Sequence, residues 1–208
     1  MLTSDVALSF FGIAVLLALA PGPDNLFVLM QSALWGRVSG MLVVLGLCTG
    51  LVGHTVAVAV GLAAIFATSA TAFTMLKLAG AVYLVYLAWG AFHAHGSPAG
   101  GAKPLKQGKG QLYRRGIVMN LANPKVSLFF LAFLPQFASP QRGPVALQIL
   151  SLGALFMLAT LLVFGAIACF SGALGERLQH SQKAQRLLNR TAGAVFIGLA
   201  VKLALSSR

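Results

Sequence analysis

The stretch VALSFFGIAVLLALAPGPDNLFVLMQSAL, from Val6 to Leu34, decides what kind of molecule this is. Outside its centre it is apolar on every face of a helix. It is also longer than the roughly 20 apolar residues that a helix needs to cross a bilayer. The centre reads Pro21-Gly22-Pro23-Asp24-Asn25. Two prolines remove backbone donors and push the residues before them out of helical geometry. Gly22 between them permits unusual dihedrals. At membrane depth such a break is tolerated only where the freed backbone groups face protein or a wet cavity. Asp24 adds an acid where a charge is costly, which marks it as a functional candidate. The stretch therefore reads as a transmembrane helix broken around a polar centre.

The rest of the chain agrees. Charged residues are 9% of the 208, against about 25% in an average soluble domain. Hydrophobic residues are 58% and the mean hydropathy is +0.88. So few charges cannot cover a soluble domain, which excludes an ordinary cytosolic enzyme and a disordered chain. Six apolar segments follow one another: about Val6 to Leu34, Ser39 to Ala67, Ala72 to Phe92, Gly116 to Phe137, Val145 to Phe170 and Thr191 to Leu205. The expected fold is an all-α integral membrane protein of six transmembrane helices forming one domain over residues 1–208. Ala18-Leu19-Ala20 resembles a signal-peptidase site, but no Lys or Arg precedes it and Pro21 follows it, so the first segment is expected to be a retained span.

The net charge is +12, from 15 basic and three acidic residues. The bases are not gathered on one face of a soluble module, as nucleic-acid binding would require. They cluster between apolar runs, so no nucleic-acid partner is expected. Lys103, Lys106, Lys109, Arg114 and Arg115 precede the fourth segment, Arg177, Lys183, Arg186 and Arg190 precede the sixth, and Arg37 follows the first. In a six-span topology these fall on one side, while Arg142, Lys202 and Arg208 fall on the other. The positive-inside bias puts the rich side, with the basic loop 94–113, in the cytoplasm and both termini outside. For a bacterium this is the cytoplasmic (inner) membrane.

A faint internal repeat divides the chain. Asn123-Pro124-Lys125 interrupts the fourth segment as Pro21-Gly22-Pro23 interrupts the first, and Leu26-Phe27 recurs 102 residues later as Leu128-Phe129. The halves are about 1–93 and 114–208. Each holds three spans, an odd number, so they must be inverted relative to each other. Paired broken helices in inverted halves point to a transporter site near the midplane.

The residues able to carry chemistry sit at these breaks. A broken helix frees carbonyls, which can coordinate a cation or an ammonium, and amides, which can hold a carboxylate. Asp24 can cap a half-helix beginning near Asn25, or can also bind an ion or a proton. Lys125 can pair with Asp24, line a pore or extend to an interface. Asn123 can donate and accept, which suits a ligand's carboxylate or amine. Gly46 and Gly50 in the second segment permit close helix approach. His54, which follows them, is either a proton relay or a neutral, hydrogen-bonded core residue. No metal-ligand spacing occurs and no cofactor is expected.

Taken in order, these pieces resemble the lysine-exporter and homoserine/threonine-exporter (LysE/RhtB) family of bacterial amino-acid efflux proteins. The matching pieces are Ala20-Pro21-Gly22-Pro23-Asp24, Gly46-x-x-x-Gly50-x-x-x-His54 and Lys77-Leu78-Ala79-Gly80-Ala81-x-Tyr83-Leu84. Asn120-x-x-Asn123-Pro124-Lys125, Phe133-Leu134-Pro135-Gln136-Phe137 and Leu188-Asn189-Arg190-x-x-Gly193 continue the series. The resemblance implies a secondary exporter of amino acids driven by the proton gradient, not an enzyme. It implies a substrate and ion site at Pro21, Gly22, Pro23, Asp24, Asn25, His54, Asn120, Asn123, Pro124 and Lys125. The expected partners are the amino acid, protons and the lipid bilayer, with homodimerisation left open.

The residues bound the alternatives. No G-x-x-x-x-G-K-[ST] loop is present, so the driving force is an ion gradient or a separate partner. With a single acid at membrane depth, the expected substrate is small and neutral or zwitterionic, of the homoserine, threonine or leucine type. The competing reading is a thiol-redox electron shuttle using Cys48 and Cys169, which would need the two thiols close together. The repeat offset does not map one onto the other. An intramembrane hydrolase is disfavoured because neither G-x-S-x-G nor H-E-x-x-H occurs.

Overall fold

The structure is a computed structural model and describes residues 2–20, 22–68, 70–93, 107–180 and 182–205. Among the described residues every regular element is helical. The helices are α1 (Ser4–Leu19), α2 (Pro23–Trp35), α3 (Arg37–Thr68), α4 (Ala70–His93), α5 (Lys109–Ala122), α6 (Pro124–Leu128), α7 (Val145–His180) and α8 (Gln182–Leu205). Between α6 and α7 the chain makes a π-helical turn, Phe129–Phe133, and two 3-10 turns, Leu134–Phe137 and Pro140–Arg142.

Two helices contain a stretch long and apolar enough to cross a membrane, Arg37–Gly61 in α3 and Val145–Ser171 in α7. Two bent pairs meet the same criterion together. Ser4–Leu19 with Pro23–Trp35 turns by 63°, and Lys109–Ala122 with Pro124–Phe137 turns by 51°. Counting each pair as one span gives up to four, and α4 adds a shorter apolar stretch, Gly80–Gly90. The chain is thus a multi-pass membrane protein, with breaks where the proline motifs stand.

Each break has a local cause. Pro23 and Pro124 occupy the first turns of α2 and α6, where a missing N–H costs nothing. Gly22, in extended backbone, caps α2. Gly36 turns the chain from α2 into α3 with φ +84°, a backbone conformation that favours glycine, and its N–H returns to the Ser32 carbonyl at 3.0 Å.

Helix outruns the apolar segments at three places. α5 begins at Lys109, where the Gly108 N–H donates to Gln111 Oε1 at 3.0 Å. Residues 109–113, expected as loop, are therefore helical, and 94–106 lie outside the described residues. α7 continues to His180 and α8 starts at Gln182, so the basic stretch before the sixth segment is largely helical as well. Lys, Arg, Gln and Leu are good helix formers. Hydropathy marks where a helix meets lipid, not where it stops.

Two apolar clusters hold the bundle. One gathers Phe10, Phe129, Phe130, Phe133, Phe137 and Phe156 with residues of α4 and α8. Its rings meet edge to face, Phe10–Phe137 at 5.2 Å and Phe130–Phe156 at 5.1 Å, a geometry favoured by the ring quadrupoles. The other joins Phe27 and Val28 of α2 to Val43, Val44 and Leu47 of α3 and to Val163, Phe164 and Ala168 of α7.

Glycines set the approach of α3 to α5. A Cβ on Gly46 would collide with the Tyr113 carbonyl, and one on Gly116 with the Val43 carbonyl. A Cβ on Gly50 would stand 2.7 Å from Asn120 Oδ1. The close packing expected of Gly46 and Gly50 is present, and its counterpart is Gly116. Gly116→Val should destabilise by about 2 kcal/mol, seen as a drop of several degrees in thermal unfolding in detergent. Gly12→Ala, at a position with nothing within 4 Å, should leave the midpoint unchanged or higher.

Candidate functional site

The two breaks face each other, and their polar side chains interlock. Asn123 caps α6, its Oδ1 accepting from the Lys125 N–H at 3.0 Å. The same side chain donates from Nδ2 to Asp24 Oδ2 at 2.8 Å. An amide can do both, whereas a carboxylate has no proton to give. Asp24 is 2% exposed and Asn123 3%. Asp24 lies in the first turn of α2 but makes no capping bond, because the cap is Gly22. Its carboxylate crosses to the other break instead, and its Oδ1 has no hydrogen-bond partner.

Lys125 is 8% exposed, so it does not reach out to an interface. Its ammonium donates to two backbone carbonyls at the end of α1, Leu17 O at 3.2 Å and Ala20 O at 3.0 Å. Asn25 Nδ2 donates to a third, Ala18 O, at 2.6 Å. The last carbonyls of a helix have no partner within it and carry the negative end of its dipole. The carbonyls freed by the first break thus hold an ammonium, and that ammonium belongs to the chain itself. Gly22 leaves it room, for a Cβ there would stand 3.2 Å from Lys125 Nζ.

Between the breaks lies a small cavity. Asp24, Asn120, Lys125 and Thr160 supply its polar wall. Leu17, Val126, Phe156 and Phe164 supply its apolar wall. Asn120 is 2% exposed, and its Oδ1, like Asp24 Oδ1, has no hydrogen-bond partner. The space open to water centres is about 20 Å3, enough for one or two waters at roughly 10–15 Å3 each. An amino acid does not fit until the helices part.

Of the residues expected at the site, Asp24, Asn120 and Lys125 meet at this cavity, Asn123 holds Asp24 from beside it, and Gly22 and Asn25 buttress it. Pro23 and Pro124 start the half-helices, and Pro21 lies outside the described residues. His54 does not line the cavity. Its Nε2 lies 3.3 Å from the Asn120 carbonyl, and its ring packs 5.6 Å from Phe130. The same carbonyl accepts from the Asn123 N–H at 3.1 Å, so His54 braces the second break from beyond the cavity wall. Cys48 is half-buried in α3 and Cys169 is exposed on α7, and neither borders the cavity. Sequence reasoning missed Thr160, Phe156 and Phe164. The only signal was Thr160, a hydroxyl within the apolar stretch from Leu152 to Phe170.

A model of LysE type translocators matches residues 15–207. The chain is 33% identical over 191 residues to a homoserine/homoserine lactone efflux protein of Salmonella typhimurium, covering 92% of each chain. It is 30% identical over 197 residues to a leucine efflux protein of an Enterobacter species, covering 92% of this chain and 91% of that one. A membrane protein of Vibrio cholerae is 30% identical over 199 residues, 96% of each. No solved structure matches the chain at a significant level.

Proposed function

The chain belongs to the LysE type translocator family, transporters and not enzymes, and on that premise we propose that it exports a small neutral amino acid in exchange for protons. The observation that carries this reading is the pairing of charges in one buried cavity. Two acceptor oxygens without partners, Asp24 Oδ1 and Asn120 Oδ1, stand with one ammonium, that of Lys125. A zwitterion is their complement. Its ammonium goes to the two oxygens and its carboxylate to Lys125, as charge-assisted hydrogen bonds. One acid and one base leave no surplus negative charge for a second cationic group. Homoserine, threonine and leucine therefore fit, and lysine and arginine do not. The names of the relatives support the same class.

Six spans in two inverted halves agree with the packing. α1 and α2 pack on α7 while α5 packs on α3, and α3 also packs on α7 and α4 on α8. Exchanging the halves carries each of these pairings into another or into itself. In this topology the basic segments face the cytoplasm of an inner membrane. Asp24 is the coupling group in this scheme. A proton arriving from outside takes the oxygen that held the substrate ammonium, and its loss inside permits reloading.

The test is transport in liposomes containing the purified protein. Labelled homoserine should exchange, with threonine and leucine competing and lysine and arginine competing at least tenfold less well. Equal or better competition by lysine would overturn the neutral-substrate reading. Asn123→Ala should weaken substrate competition roughly tenfold at every pH, because it removes the bond that holds the Asp24 side chain in place. An effect confined to one end of the pH range would mean that Asn123 acts through the proton instead.

A further inference from the structure

The buried face of α2 comprises Asp24, Phe27, Val28, Gln31 and Ser32. Gln31 is seven residues beyond Asp24, two turns along the same face and about 10 Å further down the helix. It is fully buried, and neither its Oε1 nor its Nε2 has a hydrogen-bond partner. Such an amide costs stability in the state described. Its neighbours do not explain it. Phe27 and Val28, between it and Asp24, belong to the apolar cluster of α2, α3 and α7. Phe164 belongs to that cluster and also lines the cavity at Asp24. The order along α2 is therefore a polar site, an apolar plug of Phe27, Val28 and Phe164, and then the Gln31 amide, with the buried Ser32 Oγ next to it also without a partner.

We propose that Gln31 is a second, inner station on the substrate path, where the head of the incoming amino acid rests before the plug opens towards Asp24. The inference rests on the export reading and adds a route to it. A primary amide suits a zwitterion, its N–H donors facing a carboxylate and its oxygen facing an ammonium. A transporter keeps such a group unpaired in its closed state because the partner is the cargo. In the topology argued above, α2 descends to Arg37 on the cytoplasmic side, so this station lies where an exporter loads.

The test uses the full-length protein with Gln31→Met, which keeps the shape and removes the amide. Thermal unfolding in detergent and homoserine export from liposomes are measured on the same preparation. The variant should unfold about 2 °C or more above wild type, because an unpartnered amide is gone. Its export should fall roughly tenfold through a raised KM for substrate on the loading side. A stabilised variant with unchanged export would overturn the proposal, leaving Gln31 a passive buried amide. A destabilised variant would overturn it too, and so would failure of both Gln31→Met and Gln31→Leu to fold, since the amide would then have a structural partner. Failure of the export reading itself is seen separately, as absence of homoserine transport by wild type.

Discussion

Lys125→Met should abolish homoserine exchange as well as gradient-driven export, the largest loss expected from any single change in this chain. Methionine keeps the length and apolar character of the lysine stem but has no donor. Leu17 O and Ala20 O then lose the ammonium that satisfies them, at a cost of about 1–3 kcal/mol for each buried carbonyl left without a partner. The substrate carboxylate loses its counter-charge at the same time. Lys125→Arg restores the charge but brings a planar fork in place of a compact ammonium, into a space where a methyl on Gly22 would already stand 3.2 Å away. It should recover the fold better than the transport. The measurement is counterflow of labelled homoserine, with thermal unfolding as the check on folding. Exchange by a folded Lys125→Met at more than half the wild-type rate would show that the ammonium is structural only.

Asp24→Asn should separate coupling from exchange. The asparagine carbonyl can still accept from Asn123, as Asp24 Oδ2 does at 2.8 Å. What disappears is the second, unpartnered carboxylate oxygen and the group able to bind a proton. Accumulation of substrate against its gradient should fall to background. Exchange should persist at roughly a tenth of the wild-type rate, supported by Asn120 and Lys125. In wild type, acidifying the medium should slow exchange, because proton and ammonium compete for one oxygen, whereas the variant's rate should stay flat with pH. His54→Ala should retain both coupling and pH response, since His54 meets the Asn120 carbonyl and the Phe130 ring and does not line the cavity. Wild-type accumulation by Asp24→Asn would place the coupling group elsewhere.

The breaks were legible because Pro21, Gly22, Pro23 and Asp24 contradict everything around them, as Asn123, Pro124 and Lys125 do in the fourth segment. A proline or a charge in an apolar run has few physical explanations. The partners of Lys125 were not legible, because they are backbone carbonyls at Leu17 and Ala20, which any side chain would offer equally. Asp24 read as a cap because it opens the half-helix. Pro23 takes the first helical position and Gly22 the cap itself, which leaves the carboxylate free to cross to Asn123. The cavity wall from α7 was hidden because Phe156 and Phe164 look like their neighbours in a uniformly apolar helix, and only packing selects which of them face inward. Gly46 and Gly50 announced a close approach, but the Gly116 and Asn120 opposite them could be found only once α3 and α5 were side by side.

The central claim is that one cavity reads both ends of a zwitterion, the ammonium through Asp24 and Asn120 and the carboxylate through Lys125. Competition by two truncated analogues of homoserine tests it most directly. One analogue is the amino alcohol that lacks the carboxylate, the other the hydroxy acid that lacks the amine. In liposome exchange with wild-type protein, each should inhibit labelled homoserine at least tenfold more weakly than unlabelled homoserine does. Inhibition by either analogue as strong as that of homoserine would mean that one end of the substrate is not recognised, and would contradict the assignment of Asp24 and Lys125 to opposite ends of the same molecule.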